Sequence, residues 1–141
     1  MKKASEAPRV IRIHDPLQTW RDVRGWGANP LKMTGDAEFA PGSLHVVSLK
    51  PGAIRGNHRH PDSTEWMLVC DGPAELAWRP PGETEIVREL IAADDPALFR
   101  IPPATGHAIR NLAAHDITVV SFSNAREPAQ VRCDPPLIAG Q

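Results

Sequence analysis

Two histidines and a glutamate lie close together in the sequence, in an arrangement typical of a metal site. His58 and His60 are separated by one residue, and on a strand such residues share a face about 6.6 Å apart. Glu65 begins an apolar run just after the turn at 61–63, so its carboxylate can reach the same position. Two imidazoles and a carboxylate suit a divalent ion such as zinc, iron, manganese or nickel. We expect a fourth ligand from a distant segment, and His107 is the candidate.

Short strands and frequent turns must position these residues. The chain of 141 residues has fifteen prolines and ten glycines, and it lacks long helical periodicity, which indicates an all-β sandwich or barrel. Trp20 and Trp26 are predicted to seal one end of its core, with a pocket wall as the alternative. We predict a single domain over 1–141, with a core at about 43–123, an N-terminal strand at 9–14 and an extended C-terminal tail at 125–141. The other predicted strands are 43–49, 54–60, 65–70, 74–79, 84–90, 97–102, 107–111 and 117–122.

Composition excludes several classes of function. The net charge of −1 gives no reason to expect a nucleic-acid partner or an anionic membrane surface. No window approaches the roughly 18 apolar residues of a membrane span, and the N-terminus lacks the apolar core of a signal peptide. Cys70 and Cys133 fit no CxxC pattern. We therefore expect a cytoplasmic protein that acts on a small molecule.

The histidine-rich segment resembles the first sequence motif of the cupin family. Gly52, His58, His60, Glu65 and Gly72 are separated by five, one, four and six residues. Five residue types coincide at fixed offsets, so the resemblance is specific. It implies a double-stranded β-helix, the small jelly-roll barrel of cupins.

A second segment resembles the other cupin motif. Pro102 stands five residues before His107, and Asn111 stands four residues after it. The segment departs from the family at Pro96 and Ala104, where glycine is usual. The resemblance implies that both motif histidines of the first segment, its glutamate and His107 point inward to one metal ion.

A closer likeness is to the C-terminal cupin domain of bacterial capsular-polysaccharide UDP-sugar reductase/epimerases. It is carried by residues 55–60 with Glu65 and by 101–111, and residues 126–135 resemble the tail of that domain. The likeness implies zinc and epimerisation of a UDP-4-keto sugar. The preceding reductase domain is missing from this sequence, so we expect the chain to act alone or with a separate partner. Cupin sugar 3,5-epimerases and 3,4-ketoisomerases are the next nearest by residue pattern.

Three further residues are candidates for binding or catalysis. His45 lies on the same face of its predicted strand as Val47 and Leu49. It therefore either enters the pocket as the general base or packs in the core. Arg55 either meets a phosphate or carboxylate of the substrate at the barrel mouth or forms an ion pair on the rim. Asn111 either lines the pocket as a substrate-binding residue or fixes the adjacent turn.

The favoured function is therefore a metal-binding epimerase or isomerase of a nucleotide-linked keto sugar in polysaccharide biosynthesis, with zinc as the favoured ion. Two other functions stay open because cupins host many unrelated activities. Three histidines and a glutamate also hold iron in small-molecule dioxygenases. A cupin can also bind a small ligand without catalysis.

We predict a homodimer in solution, because cupin barrels often pair through an outer sheet or an exchanged N-terminal strand. Val10, Ile11 and Ile13 make the N-terminal strand apolar enough for such an exchange. Light scattering over a range of protein concentrations checks this prediction. A monomer mass that does not change with concentration contradicts it.

Overall fold

The computed structural model describes residues 7–140, and strands dominate this part of the chain. Residues 1–6 and Gln141, the last residue of the predicted tail, lie outside the description. A 3₁₀ helix at Pro30–Met33 interrupts the strands, and no helix in residues 7–140 has the length and hydrophobicity that a membrane crossing requires. The strands are β1 Ile11–Ile13, β2 Trp20–Asp22, β3 Gly25–Gly27, β4 Ser43–Leu49, β5 Ile54–Arg59, β6 Glu65–Val69, β7 Ala74–Arg79, β8 Val87–Ile91, β9 Ala97–Ile101, β10 Gly106–Asn111, β11 Ile117–Ser123 and β12 Val131–Arg132.

Two antiparallel sheets of five strands face each other across the described chain. The first sheet has the order β1-β9-β6-β11-β4 and the second has the order β12-β5-β10-β7-β8. Side chains from both sheets, such as Met67 and Val119 from the first and Leu76 and Ile109 from the second, form the core between them. This arrangement confirms the predicted double-stranded β-helix of the cupin type.

Alternation along the strands decides which residues face the barrel interior. On β6, Glu65 and Met67 point inward, whereas Trp66 points outward. Trp66 stacks on Phe122 of β11 with ring centroids 5.5 Å apart. The segment before β4 covers this outer face, with Leu17, Met33 and Phe39 against the two rings.

The two early tryptophans lie outside the core. Trp20 belongs to the hairpin of β2 and β3 and is 62% exposed, so the prediction that it seals one end of the core is wrong. The hairpin pairs only with itself among the described strands. A large ring in a short segment gives no indication of whether the segment folds over the barrel or away from it.

A β-bulge interrupts the pairing of β5 with β10 next to the histidines. His58 pairs with His107, but the next pair is Gly56 with Ala108, so Asn57 is the extra residue. Gly56 and Asn57 have φ angles of 99° and 56°, a region that glycine and asparagine enter most easily. The bulge departs from the regular strand predicted for 54–60.

The segment after β11 packs against the outer face of the second sheet. Cys133, Leu137 and Ile138 are buried there, and they form a cluster with Ala77 and Ala108. We call residues 125–140 the C-terminal segment. Buried apolar side chains and the pairing of β12 with β5 anchor this segment. The prediction was an extended tail, and it included neither the strand nor the burial.

We predict that Gly56→Ala destabilises the fold more than Gly82→Ala. Both glycines have positive φ, so each substitution strains the backbone by about 1 kcal/mol. A Cβ at Gly56 would also lie 2.8 Å from the His107 carbonyl oxygen, whereas a Cβ at Gly82 would meet nothing within 4 Å. We expect Gly56→Ala to lower the free energy of unfolding by about 2 kcal/mol or more, measured by urea denaturation. Equal losses in the two variants would contradict a tight contact at the bulge.

Candidate metal centre

Four side chains from separate parts of the two motifs converge inside the barrel. His58 lies at the bulge on β5, His60 follows the end of that strand, Glu65 begins β6, and His107 lies on β10. Their potential ligand atoms all lie within 4.8 Å of one another. The His58 ring is 4.8 Å from His60 and 4.9 Å from His107, between centroids. The structure thus brings together all four predicted ligands.

Backbone carbonyls orient two of the imidazoles. Nδ1 of His60 lies 3.0 Å from the Ala129 carbonyl oxygen, and Nδ1 of His107 lies 3.1 Å from the Thr105 carbonyl oxygen. A carbonyl oxygen can only accept, so each Nδ1 carries a proton and donates it. The opposite nitrogen of each neutral ring therefore presents a lone pair, which is the form that binds a metal ion.

Both lone pairs face one carboxylate oxygen. Oε1 of Glu65 lies 3.0 Å from His60 Nε2 and 3.2 Å from His107 Nε2. Glu65 Oε1 and His107 Nε2 are buried without a hydrogen-bond partner among the described residues. Three acceptors at this distance repel one another unless a positive charge lies between them, either a proton or a metal ion.

The ionisation of Glu65 favours a positive charge at this position. Burial alone would raise the pKa of Glu65. When protons rather than a metal ion lie between the groups, hydrogen bonds and charge attraction from His107 and His60 outweigh burial and hold the pKa of Glu65 well below its ordinary value. The carboxylate is therefore negative at neutral pH.

The other two histidines have pKa values displaced in opposite directions. Burial, together with the neighbouring His107 and His60, lowers the pKa of His58 to about 4. Hydrogen bonding to Glu65 raises the pKa of His60. At neutral pH His58 is thus a neutral ligand, whereas a proton competes for His60.

The donor set fits a divalent ion. Three imidazole nitrogens and one carboxylate oxygen are ordinary ligands of zinc, and the same set suits iron, manganese or nickel. The four potential ligand atoms all lie within 4.8 Å of one another, so an inward movement of the side chains would let all four reach one ion placed between them.

A cavity of about 140 Å³ opens onto three of these four groups. Its walls combine apolar side chains with a few polar ones. His45 of β4 borders it, and so does Ser121, which pairs with His45 across the β4–β11 ladder. The complete lining is His45, Val47, Arg55, Gly56, His58, Glu65, Met67, His107, Ile109, Val119 and Ser121.

Arg55 and His45 lie where the sequence analysis expected pocket residues. Both border the cavity and both are exposed to solvent. Nε of Arg55 donates to the Ser48 carbonyl oxygen at 3.0 Å, which holds the stem of the side chain against β4.

Asn111 lies away from the cavity, so its assignment as a substrate-binding residue needs correction. The side chain is fully buried, and its amide nitrogen donates to the carbonyl oxygens of Leu49 at 2.9 Å and His115 at 2.8 Å. Its amide oxygen accepts from the Ala113 backbone N–H at 2.7 Å. Asn111 therefore fixes the turn after β10, which was the other role considered for it.

Two groups at the centre escaped the sequence analysis. Ser121 is buried on the inward face of β11. Its position two residues after the apolar Val119, on the same strand face, could have indicated a polar group inside the barrel. The Ala129 carbonyl that orients His60 carries no sequence signal, because every residue offers such an acceptor.

Comparison with protein families gives a match over most of the chain. The family model for the polysaccharide biosynthesis C-terminal domain matches residues 21–130. A search of curated proteins gave no match.

Solved structures share the fold. The capsular polysaccharide assembling protein CapF from Staphylococcus aureus is 27% identical, with a TM-score of 0.60 over 66% of this chain. This chain spans only 26% of the length of that protein. A dTDP sugar isomerase from Desulfovibrio desulfuricans G20 is 16% identical, with a TM-score of 0.75 over 94% of this chain and 87% of its own.

A third structure is the 3,4-ketoisomerase QdtA from Thermoanaerobacterium thermosaccharolyticum. It is a histidine-to-asparagine variant in complex with TDP-4-keto-6-deoxyglucose, and it is 14% identical, with a TM-score of 0.66 over 89% of this chain and 88% of its own. At such identities the two isomerases establish a common fold.

We predict that divalent ions bind more weakly as the pH falls from about 8 to about 6. The raised pKa of His60 means that a proton must leave before a metal ion can bind. His58, with a pKa of about 4, adds no competing proton in this range. Each displaced proton weakens affinity by up to about tenfold per pH unit. Zinc affinity measured by competition with a chelator at both pH values checks this, and tighter or equal binding at the lower pH would contradict it.

Proposed function

Because the chain belongs to the polysaccharide biosynthesis C-terminal domain family, we propose that it is a metal-dependent epimerase or isomerase of a nucleotide-linked keto sugar. One observation carries the proposal. Unpartnered acceptors of Glu65 and His107 face each other at the floor of a cavity, and a histidine and an arginine, His45 and Arg55, border the same cavity.

The ion would be held by the four convergent residues, His58, His60, Glu65 and His107. Zinc is favoured because three nitrogens and an oxygen match its usual ligands. When bound, it would supply Lewis-acid polarisation of the sugar carbonyl.

The cavity would hold the sugar and exclude water from it. Its volume of about 140 Å³ is below the usual range for whole drug-sized ligands, so the reacting sugar ring would enter and the nucleotide would stay outside. Met67, Ile109 and Val119 form apolar walls around the ring. Arg55, exposed at the border, is suited to pair with the diphosphate.

His45 would act as the general base. A ketone acidifies the adjacent C–H bond, and a neutral imidazole can take that proton while the electron pair moves into an enolate. The N–H formed on His45 then returns the proton. If a solvent proton is delivered to the opposite face of the same carbon instead, the product is an epimer. If His45 returns its proton to the neighbouring carbon, and the hydroxyl of the first carbon loses its proton, the carbonyl moves along the ring.

The related structures support this substrate class. Two of them are a dTDP sugar isomerase and a 3,4-ketoisomerase bound to TDP-4-keto-6-deoxyglucose. The third, CapF, is a capsular polysaccharide assembling protein. A role in polysaccharide biosynthesis, with a nucleotide-linked keto sugar as substrate, is the proposal consistent with all three.

We predict that His45→Asn and His107→Ala fail in different ways. His45→Asn should keep its metal and lose about 10²- to 10⁴-fold in turnover, because only the base is removed. His107→Ala should lose metal, because a ligand is removed. The assay follows proton exchange beside the carbonyl in D₂O for a panel of UDP- and dTDP-4-keto sugars, with metal content measured on the same samples.

His115→Asn is the matched control, since His115 is an exposed residue bonded to Asp71 at 3.0 Å, outside the cavity lining. It should exchange at the wild-type rate. Wild-type exchange in metal-loaded His45→Asn would exclude His45 as the base. Failure of the wild-type protein on every sugar, together with iron-dependent oxygen consumption, would replace the epimerase proposal with a dioxygenase.

A further inference from the structure

Asn57, the extra residue of the bulge, is bound to the C-terminal segment through its whole amide group. Its Oδ1 accepts from the backbone N–H groups of Leu137 at 2.8 Å and Ile138 at 3.1 Å. Its Nδ2 donates to the Ile138 carbonyl oxygen at 3.0 Å. The backbone carbonyl of Asn57 accepts from the Cys133 N–H at 2.8 Å. The residue between Gly56 and the first histidine of the centre is thus held by four bonds to a distant part of the chain.

The same segment also contacts both histidines of the first motif. Arg132 of β12 pairs with His58 of β5 in the sheet. The Ala129 carbonyl oxygen accepts from Nδ1 of His60. The C-terminal segment therefore reaches the strand at 57, 58 and 60, so it borders two of the four convergent groups.

The second sheet is shaped to receive the segment. Ala77 and Ala108 present small side chains beneath Cys133 and Leu137. At Gly106 a Cβ would lie 3.1 Å from the Cys133 sulfur, so a larger residue would push the segment outward. By contrast, the cluster between the sheets contains residues from Val10 to Val119 and none from the described part of the C-terminal segment. The segment therefore packs on the outer face of the second sheet, to which β5 belongs, and not in the core between the sheets.

We propose that Asn57 is a positioning residue, which fixes the C-terminal segment against β5 so that His58 and His60 are held ready for a metal ion. The inference rests on the proposed metal-dependent function and extends it to a part of the chain outside the cupin motifs. The Asn57 bonds fasten residues 133–138 beside β5, and the adjoining pairing of β12 with β5 connects this anchor to Ala129. The Ala129 carbonyl oxygen in turn holds the proton of His60 on Nδ1. Without the Asn57 bonds, His60 can rotate or exchange its tautomer, and the ion binds a less ordered set of ligands.

The test compares zinc affinities of Asn57→Gly, Asn57→Asp and Ser43→Ala with that of the wild-type protein, by chelator competition. Glycine tolerates the φ of 56° at this position and removes the amide, so affinity should fall by about 10- to 100-fold. Aspartate keeps the acceptor for Leu137 and Ile138, so it should lose less than about tenfold. Ser43→Ala is the control. It removes a 2.7 Å bond from the Ser43 hydroxyl to the Ala125 carbonyl oxygen, which joins the segment to β4 of the first sheet and not to β5, so it should change affinity by less than about twofold.

A spectroscopic measurement separates positioning from a loss of stability. In the cobalt-substituted protein, Asn57→Gly should change the visible spectrum of the ion, because the ligand geometry changes, while Ser43→Ala leaves it unchanged. If Asn57→Gly does not fold, the same comparison is made with Asn57→Asp, which loses the donor to the Ile138 carbonyl oxygen and should weaken zinc binding by about two- to tenfold. Wild-type affinity and an unaltered cobalt spectrum in folded Asn57→Gly, or in Asn57→Asp where the glycine variant does not fold, would overturn the inference alone. A wild-type protein that binds no divalent ion would overturn both the inference and the proposed function.

Discussion

The rest of the structure depends on one constraint, which is that three hydrogen-bond acceptors face one another in a buried site. Glu65 is buried and negative, and Nε2 of His60 and Nε2 of His107 face its Oε1 at 3.0 and 3.2 Å, with the proton of each ring on Nδ1. Carbonyl groups of the backbone impose that orientation on the rings. Such an arrangement is stable only around a positive charge. The barrel, the bulge and the C-terminal segment all contribute to holding these groups in place.

Each contribution comes from a different scale of structure. In the barrel, side chains alternate between the interior and the exterior along each strand, and this alternation places Glu65 and His107 in the interior. The bulge adds one residue to β5, so that the chain turns at Gly56 and His58 still pairs with His107. The C-terminal segment supplies the acceptor for His60. The positioning of the centre thus depends on contacts between segments that lie far apart in sequence.

Local pattern was enough to predict β1, β4 to β11 and the four convergent residues, but not β2, β3 and β12. Alternation identified β4, apolar runs identified β6 and β11, and fixed motif spacing identified Glu65 and His107. The pairing register of the strands could not be predicted from the sequence, because nothing in the sequence of β5 indicates that Asn57 is unpaired against β10. Asn111 was ambiguous for a related reason. An inward polar side chain can serve a cavity or a turn, and only the positions of Leu49 and His115 decide which.

The most direct test of a metal centre at these four residues is anomalous diffraction from zinc-loaded crystals, with data collected on both sides of the zinc absorption edge. One peak is expected per chain, about 2.0 to 2.2 Å from nitrogens of His58, His60 and His107 and from Glu65 Oε1. Crystals that show zinc elsewhere, or none at all, with Glu65 directly hydrogen-bonded to a protonated His60, would contradict the account.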